Sequence, residues 1–361
     1  RFTRRGNRMA YYYVKDDGTA TGNNGRYASI QTSSFATLGT SGYYSDIYDA
    51  INTPTTAPTS GDYILCSDLH NASAAFAGNI SIPDGVSVIS VDDTNGSLYK
   101  PGATEHDTGT SNDYHVPQFA HVLIAGMNLE TGDDVIYVNS EGFLYLQDST
   151  LTLDGEFDNG LIIGGDGGSA KLVNDNITAN NSFNRGLLFI NGGSKLEWYG
   201  GTGSVAVKLF NLFGGTGGAS AKIVGVDLSS VTELIPSVTS DQDIIELYIH
   251  NCKLNASVTL PAGFLNPGQR FEMFNCDDSS NNDFHRFYIS DGAGTSKNND
   301  TTYVTATESW YEASDKSSIE LTTKSRCSHA EPIVFELPAQ YVAVSQSASK
   351  LLTLDSERDT T

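Results

Sequence analysis

The residues best suited to chemistry lie in "TLDGEFDNG" (Thr152–Gly160), where Asp154, Glu156 and Asp158 fall at two-residue spacing. On a β-strand that spacing puts all three carboxylates on one face. Three carboxylates so placed could hold Ca²⁺ through oxygen ligands, or divide into the acid and base of glycoside cleavage. The same residues also read as a solvated loop. Composition favours the loop, because Asp and Glu number 43 against 21 Lys and Arg. Asp133–Asp134 and Asp277–Asp278 are further acidic pairs. Basic residues that could join them are scarce: Lys171, Arg185, Lys195, Lys208 and Lys222 fall in no shared column of the sequence.

Other reactive patterns are missing from the chain. It contains no nucleophile elbow, no HExxH and no phosphate loop. "GGDGG" (Gly164–Gly168) and "GGTGG" (Gly214–Gly218) each occur once, which suits turns and not a calcium-binding array. His250 reads as a surface histidine. The four cysteines, Cys66, Cys252, Cys276 and Cys327, lack CxxC spacing and are too sparse for a disulfide scaffold. Cys252 and Cys276 are expected to be two packed thiols, not a bond or a metal site. No cofactor is expected.

A net charge of −22 argues against wrapping nucleic acid, which calls for a basic stripe, and argues for mutual repulsion between free copies. The exception is "RFTRRGNRMA", where Arg1, Arg4, Arg5 and Arg8 form either an arm that docks on an acidic partner or a disordered terminus. No run of 18 apolar residues occurs, so no membrane span is expected. The basic start runs into polar "YYYVKDDGTATGNNGRY", which does not read as a signal peptide.

What could position such residues is a repeat. With 36 Gly and abundant Asn, Ser, Thr and Asp, the chain predicts many short strands and no long helices. Six-residue windows recur at Ile124 ("IAGMNL"), Leu146 ("LQDSTL"), Leu172 ("LVNDNI"), Leu196 ("LEWYGG"), Ile223 ("IVGVDL"), Ile249 ("IHNCKL") and Met273 ("MFNCDD"), spaced 22 to 27 residues apart. Their first column is always apolar. The sixth is apolar at Leu129, Leu151, Ile177, Leu228 and Leu254, but Gly201 and Asp278 break it. The third holds Gly126, Asp148, Asn174, Gly225, Asn251 and Asn275, with Trp198 the exception. Gly, Asn and Asp tolerate left-handed backbone angles, so this column suits a tight bend. Like residues every 25 or so positions are what a parallel β-solenoid stacks, each coil about 4.8 Å from the next. A β-sandwich or jelly roll is the alternative, though it has no reason for that period.

Upstream, "YYSDIYDAI" sets Tyr44, Ile47, Tyr48 and Ile51 in a one-sided helical stripe. "SGDYILCSD" and then "NISIPDGVSVISVDD" follow it. This order, carried by Gly61, Asp62, Ile64, Ile80, Ile82, Gly85, Val86, Val88 and Ile89, resembles the opening of pectin-lyase-like β-helices, where a helix caps the first coil. The resemblance implies an all-β, right-handed, single-stranded parallel β-helix. It also raises the question of a polysaccharide lyase or hydrolase, for which Asp154, Glu156 and Asp158 are the nominees. The stretch Met9–Ser29 with "FATLGTSGYYSDIYDAI" resembles structural proteins of tailed bacteriophages over about the first 70 residues.

Beyond about residue 280 the pattern changes to alternation, as in "SSIELTTKS" and "EPIVFELPAQYVAVS", which predicts strands with one wet face. The expected organisation is an arm and cap over 1–43, a parallel β-helix over 44–280 and a C-terminal β-domain or cap over 281–361. The expected function is non-enzymatic: a bacteriophage virion protein decorating the outer capsid surface. Its partners would be the major capsid protein or other virion proteins, with self-assembly as a trimer by analogy. A tail fibre or tailspike that binds or depolymerises host surface glycan is the alternative.

Overall fold

The computed structural model describes residues 9–72, 78–107, 113–131, 135–153, 160–164, 167–179, 186–204, 208–213, 218–233, 245–255, 270–278 and 286–290. Its strands form one sheet of nineteen members and another of six, and nearly all pairings are parallel and in register. The chain winds as a parallel β-solenoid. Each coil crosses the long sheet in two short legs and the six-stranded sheet in one. The all-β expectation holds. Residues 291–361, where the C-terminal alternation falls, lie outside the described residues.

The inward ladder runs from Tyr12 through Ile64, Val88, Ile124, Leu146, Leu172, Trp198 and Ile223 to Ile249, with which Met273 pairs in register. Six of the seven windows are therefore in phase. The window at Leu196 is not: Trp198 stands between Leu172 and Ile223, while Leu196 stacks between Ala170 and Ala221. Both residues are buried, because a two-residue shift along a strand keeps a side chain on the same face. With the phase corrected, Gly200 takes the bend position that Trp198 had broken. Gly126, Asp148, Asn174, Gly200, Gly225 and Asn251 then all have positive φ, between 49° and 71°. A left-handed residue there turns the strand sharply between its two legs without a helix or long loop.

A second bend leads into the long sheet through a repeated β-turn. Its closing hydrogen bonds run from Asp62 N to Thr59 O, Val86 N to Pro83 O, Ala120 N to Pro117 O and Gly142 N to Asn139 O. The third residue of each turn is left-handed: Gly61, Gly85, Phe119 and Glu141. One coil is longer than the rest because Asn95–Tyr99 folds back antiparallel on Ser87–Asp92.

At the N-terminal end, Tyr11–Val14 adds a parallel rung against Tyr63–Ser67. The helix Ile47–Asn52 packs between that strand and Ile80–Ser81, across the mouth of the stack. It starts later than the sequence stripe suggests, because the Asp46 side chain accepts from Asp49 N at 2.6 Å and caps it. Ile47, Ala50 and Ile51 point into the core, closing an end that would otherwise expose apolar ladders and unpaired strand edges. A second, smaller cluster lies on the outer side of the first rungs, where Phe35 and Tyr43 cover Tyr13, Leu65 and Val91.

Candidate functional site

Three groups of polar side chains are brought together by the described fold. The first lies beneath the cap. His70 follows the strand Tyr63–Ser67, and Glu105 occupies the inward sixth column, paired in register with Ala72 and Leu129. His70 Nε2 lies 2.6 Å from Glu105 Oε2, and both side chains are fully enclosed. The Ile47 N–H, at the start of the capping helix, also donates to Glu105. Burial pushes the Glu105 carboxyl above the usual range, opposed chiefly by His70. Cys66, also enclosed, has its thiol pushed well up by burial and by the nearby carboxylates of Glu105 and Asp46. A thiol held protonated and without solvent access is not a nucleophile. This group ties the cap to the second coil.

The second group lies at the first bend. Asp175 is fully buried, and its carboxylate accepts from Ser149 N at 2.7 Å and Val173 N at 2.6 Å. Asn174 Nδ2 donates to Asp148 Oδ1 at 2.8 Å in the rung below, and Tyr99 Oη donates to Asp148 Oδ2 at 2.9 Å. In later rungs thiols take the Asp175 position: Cys252 Sγ donates to His250 O at 3.3 Å and Cys276 Sγ to Ile249 O at 3.4 Å. Both cysteines are free and buried, as expected from the sequence, and they share a hydrogen bond. Asp175, Cys252 and Cys276 thus satisfy backbone groups at the bend.

Burial raises the Asp175 carboxyl to about 7, outweighing the two N–H donors. A folded-state value above the unfolded one means that the stability is fully present below about pH 4 and is lost as pH rises towards 7. Denaturant titrations should show this loss as roughly 2–4 kcal/mol between pH 4 and 7, levelling off above. The difference in slope between wild type and Asp175→Asn isolates it from the other carboxylates. Equal slopes would remove Asp175 as its source.

The third group faces solvent. Lys171, Glu197 and Lys222 form one outward ladder in consecutive rungs, so two of the five scattered bases do share a column. Lys171 Nζ and Lys222 Nζ lie 5.5 and 5.8 Å from the Tyr199 ring centroid, and Tyr199 Oη donates to Glu197 Oε2 at 3.2 Å. Among the described residues, Lys15, Lys100, Lys208 and Lys253 are paired with carboxylates. Beside the third group is an open depression of about 150 Å³ lined by Ser194, Lys195, Ser220 and Glu246. That is smaller than the ~300 Å³ at which small-molecule pockets begin.

Asp154, Glu156 and Asp158, the pair Asp133–Asp134, and the arm residues Arg1, Arg4, Arg5 and Arg8 lie outside the described residues. His250 stands on an outward column beside Val224. Among the described residues no group of three or more His, Cys, Asp or Glu could hold a metal ion. Sequence reasoning missed His70, Glu105 and Asp175. The available signal was a carboxylate in an otherwise apolar inward column, which becomes visible only once the register is known. Comparison with protein-family models, with curated proteins and with solved structures found no match.

Proposed function

We propose that the chain is a non-enzymatic structural protein of a tailed-bacteriophage virion, a β-helix that decorates the outer capsid surface. The observation that carries this reading is how its buried reactive groups are used. His70, Glu105, Asp175, Cys252 and Cys276 hydrogen-bond the cap and the bends, so their polar chemistry goes into building a rod. Residues 9–70, within the stretch that resembles phage structural proteins, fold onto and close one end of that rod, and the body is strongly acidic. In this reading Arg1, Arg4, Arg5 and Arg8 dock on the acidic surface of the major capsid protein or another virion protein. The tailspike alternative draws support from the Lys171–Tyr199–Lys222 flank, which presents cations to an anionic glycan.

Occupancy tests the proposal. Purified chain, with and without residues 1–8, is added to particles lacking it, and bound copies are counted by electron microscopy. The full chain is expected on heads, with the truncation binding more weakly. The deficit should be larger at low salt, where screening is least. Equal occupancy would remove the arm, and binding to tails alone would favour the fibre reading. New reducing ends or unsaturated products from host polysaccharide would refute a non-enzymatic role.

A further inference from the structure

The pair beneath the cap is enclosed in a way that limits how many protons it can hold. His70 and Glu105 are both fully buried and meet through Nε2 and Oε2. The remaining atoms, His70 Nδ1 and Glu105 Oε1, have no hydrogen-bond partner among the described residues. A neutral imidazole suits this arrangement, donating Nε2–H to the carboxylate while a bare Nδ1 needs no acceptor. One added proton gives a pair without net charge, shared across the 2.6 Å contact. Two added protons give an imidazolium facing a carboxylic acid. The enclosed site then holds a positive charge with no counterpart, and a donor at Nδ1 that meets no acceptor.

The surroundings do not supply that counterpart. Facing the pair are Asp46, at the start of the capping helix, and Cys66, on the strand Tyr63–Ser67, while the next rung contributes Leu129. Burial raises the Asp46 carboxyl, so it becomes neutral at a higher pH than an ordinary aspartate, before a second proton reaches the pair. The Cys66 thiol stays protonated. Burial raises Glu105 as well, so the closed pair takes its first proton readily, and it is the second that enclosure resists. The element resting on this pair is also weakly held. The helix Ile47–Asn52 has six residues, too few to persist without packing. It is held by side-chain contacts and the Ile47 N–H, whereas the rungs beside it are joined by in-register backbone ladders.

We propose that His70 and Glu105 make the cap an acid-opened latch: the helix Ile47–Asn52 stays closed while the pair holds at most one added proton, and the second releases it. In the open cap both groups face water and titrate at ordinary values, near 6.5 for the imidazole and about 4.3 for the carboxyl. Below about pH 4 the open form therefore binds one proton more than the closed form. The closed cap loses stability as pH falls through this range, and the open-to-closed ratio rises by up to about tenfold per pH unit. Opening uncovers the mouth of the stack and leaves the later coils in place. The inference does not rest on the virion reading.

The test is hydrogen exchange of the full chain from neutral to strongly acid pH, corrected for the intrinsic rate at each pH, with circular dichroism as the check on folding. In wild type, opening of Ile47–Asn52 should climb steeply below about pH 4 while Phe143–Gln147 stays protected. His70→Gln with Glu105→Gln keeps a hydrogen-bonded pair that does not titrate, and its cap should lose the acid dependence. If that double variant does not fold, His70→Gln alone carries the test, because it removes the second proton site and leaves Glu105 to take the first. Asp46→Asn, which still caps the helix, should keep the wild-type dependence. A wild-type cap indifferent to acid, or one that opens only together with Phe143–Gln147, would overturn the latch. An acid response that survives His70→Gln or vanishes with Asp46→Asn would overturn it equally.

Discussion

Replacing Trp198 by alanine is expected to destabilise the solenoid by about 3–5 kcal/mol, the cost of emptying a fully packed aromatic site. Trp198 is completely buried, and its indole N–H donates to Asp175 O at 3.2 Å. It fits because the second leg of its own coil gives way. A Cβ at Gly203 would meet Leu228 Cδ2 at 2.8 Å, Leu187 Cδ1 at 3.1 Å and the Trp198 ring at 3.2 Å. Gly203 sits in register with Ile177, in a column that carries Leu129, Leu151 and Ile177 in the preceding rungs, so the tryptophan occupies volume that the missing side chain vacates. The two positions should therefore couple. Gly203→Ala alone should cost about 1–3 kcal/mol by overpacking. With Trp198→Leu it should become neutral or favourable, a coupling of roughly 1 kcal/mol or more in a double-mutant cycle followed by urea unfolding. Additive costs would show that the two sites do not share space.

Breaking the His70–Glu105 pair should have an effect of the same size. Glu105→Ala removes the partner of an enclosed imidazole and the acceptor of the Ile47 N–H, at a cost of about 3–5 kcal/mol. The double replacement His70→Leu with Glu105→Leu should cost far less than Glu105→Ala, because an apolar pair of similar volume leaves no buried charge without a counterpart. Hydrogen exchange adds a local readout, since Glu105→Ala should raise exchange in Ile47–Asn52 before the later coils are affected. If the double variant were as unstable as the single one, packing and not the pair would be what holds the cap.

The two sites differ in how far they could be read in advance. Ile124, Leu146, Leu172, Ile223, Ile249 and Met273 are legible as one ladder because a parallel stack demands the same kind of side chain at every rung. Gly126, Asp148, Asn174, Gly225 and Asn251 are legible as bends because few residues accept positive φ. The stripe around Ile47, Tyr48 and Ile51 reads as a helix for the same reason of periodicity, and its place over the mouth follows from the exposed end it must cover. Leu196 shows where such reasoning stops. Leu196 and Trp198 both face inward, so hydrophobic pattern alone accepts either phase, and only the space at Gly203 selects the tryptophan.

Composition, period and bend chemistry thus determined by themselves that this chain is an all-β parallel solenoid with a helical cap, because those are local or repeating properties written once per coil. Tertiary structure decided what the repeats do not encode. It placed His70 against Glu105 across 35 residues, buried Asp175 beneath its own bend and aligned Lys171 with Lys222. Each of these depends on which residues of different coils come to lie one rung apart. That distance is fixed by insertions such as Asn95–Tyr99 and by side-chain volume, neither of which has a period.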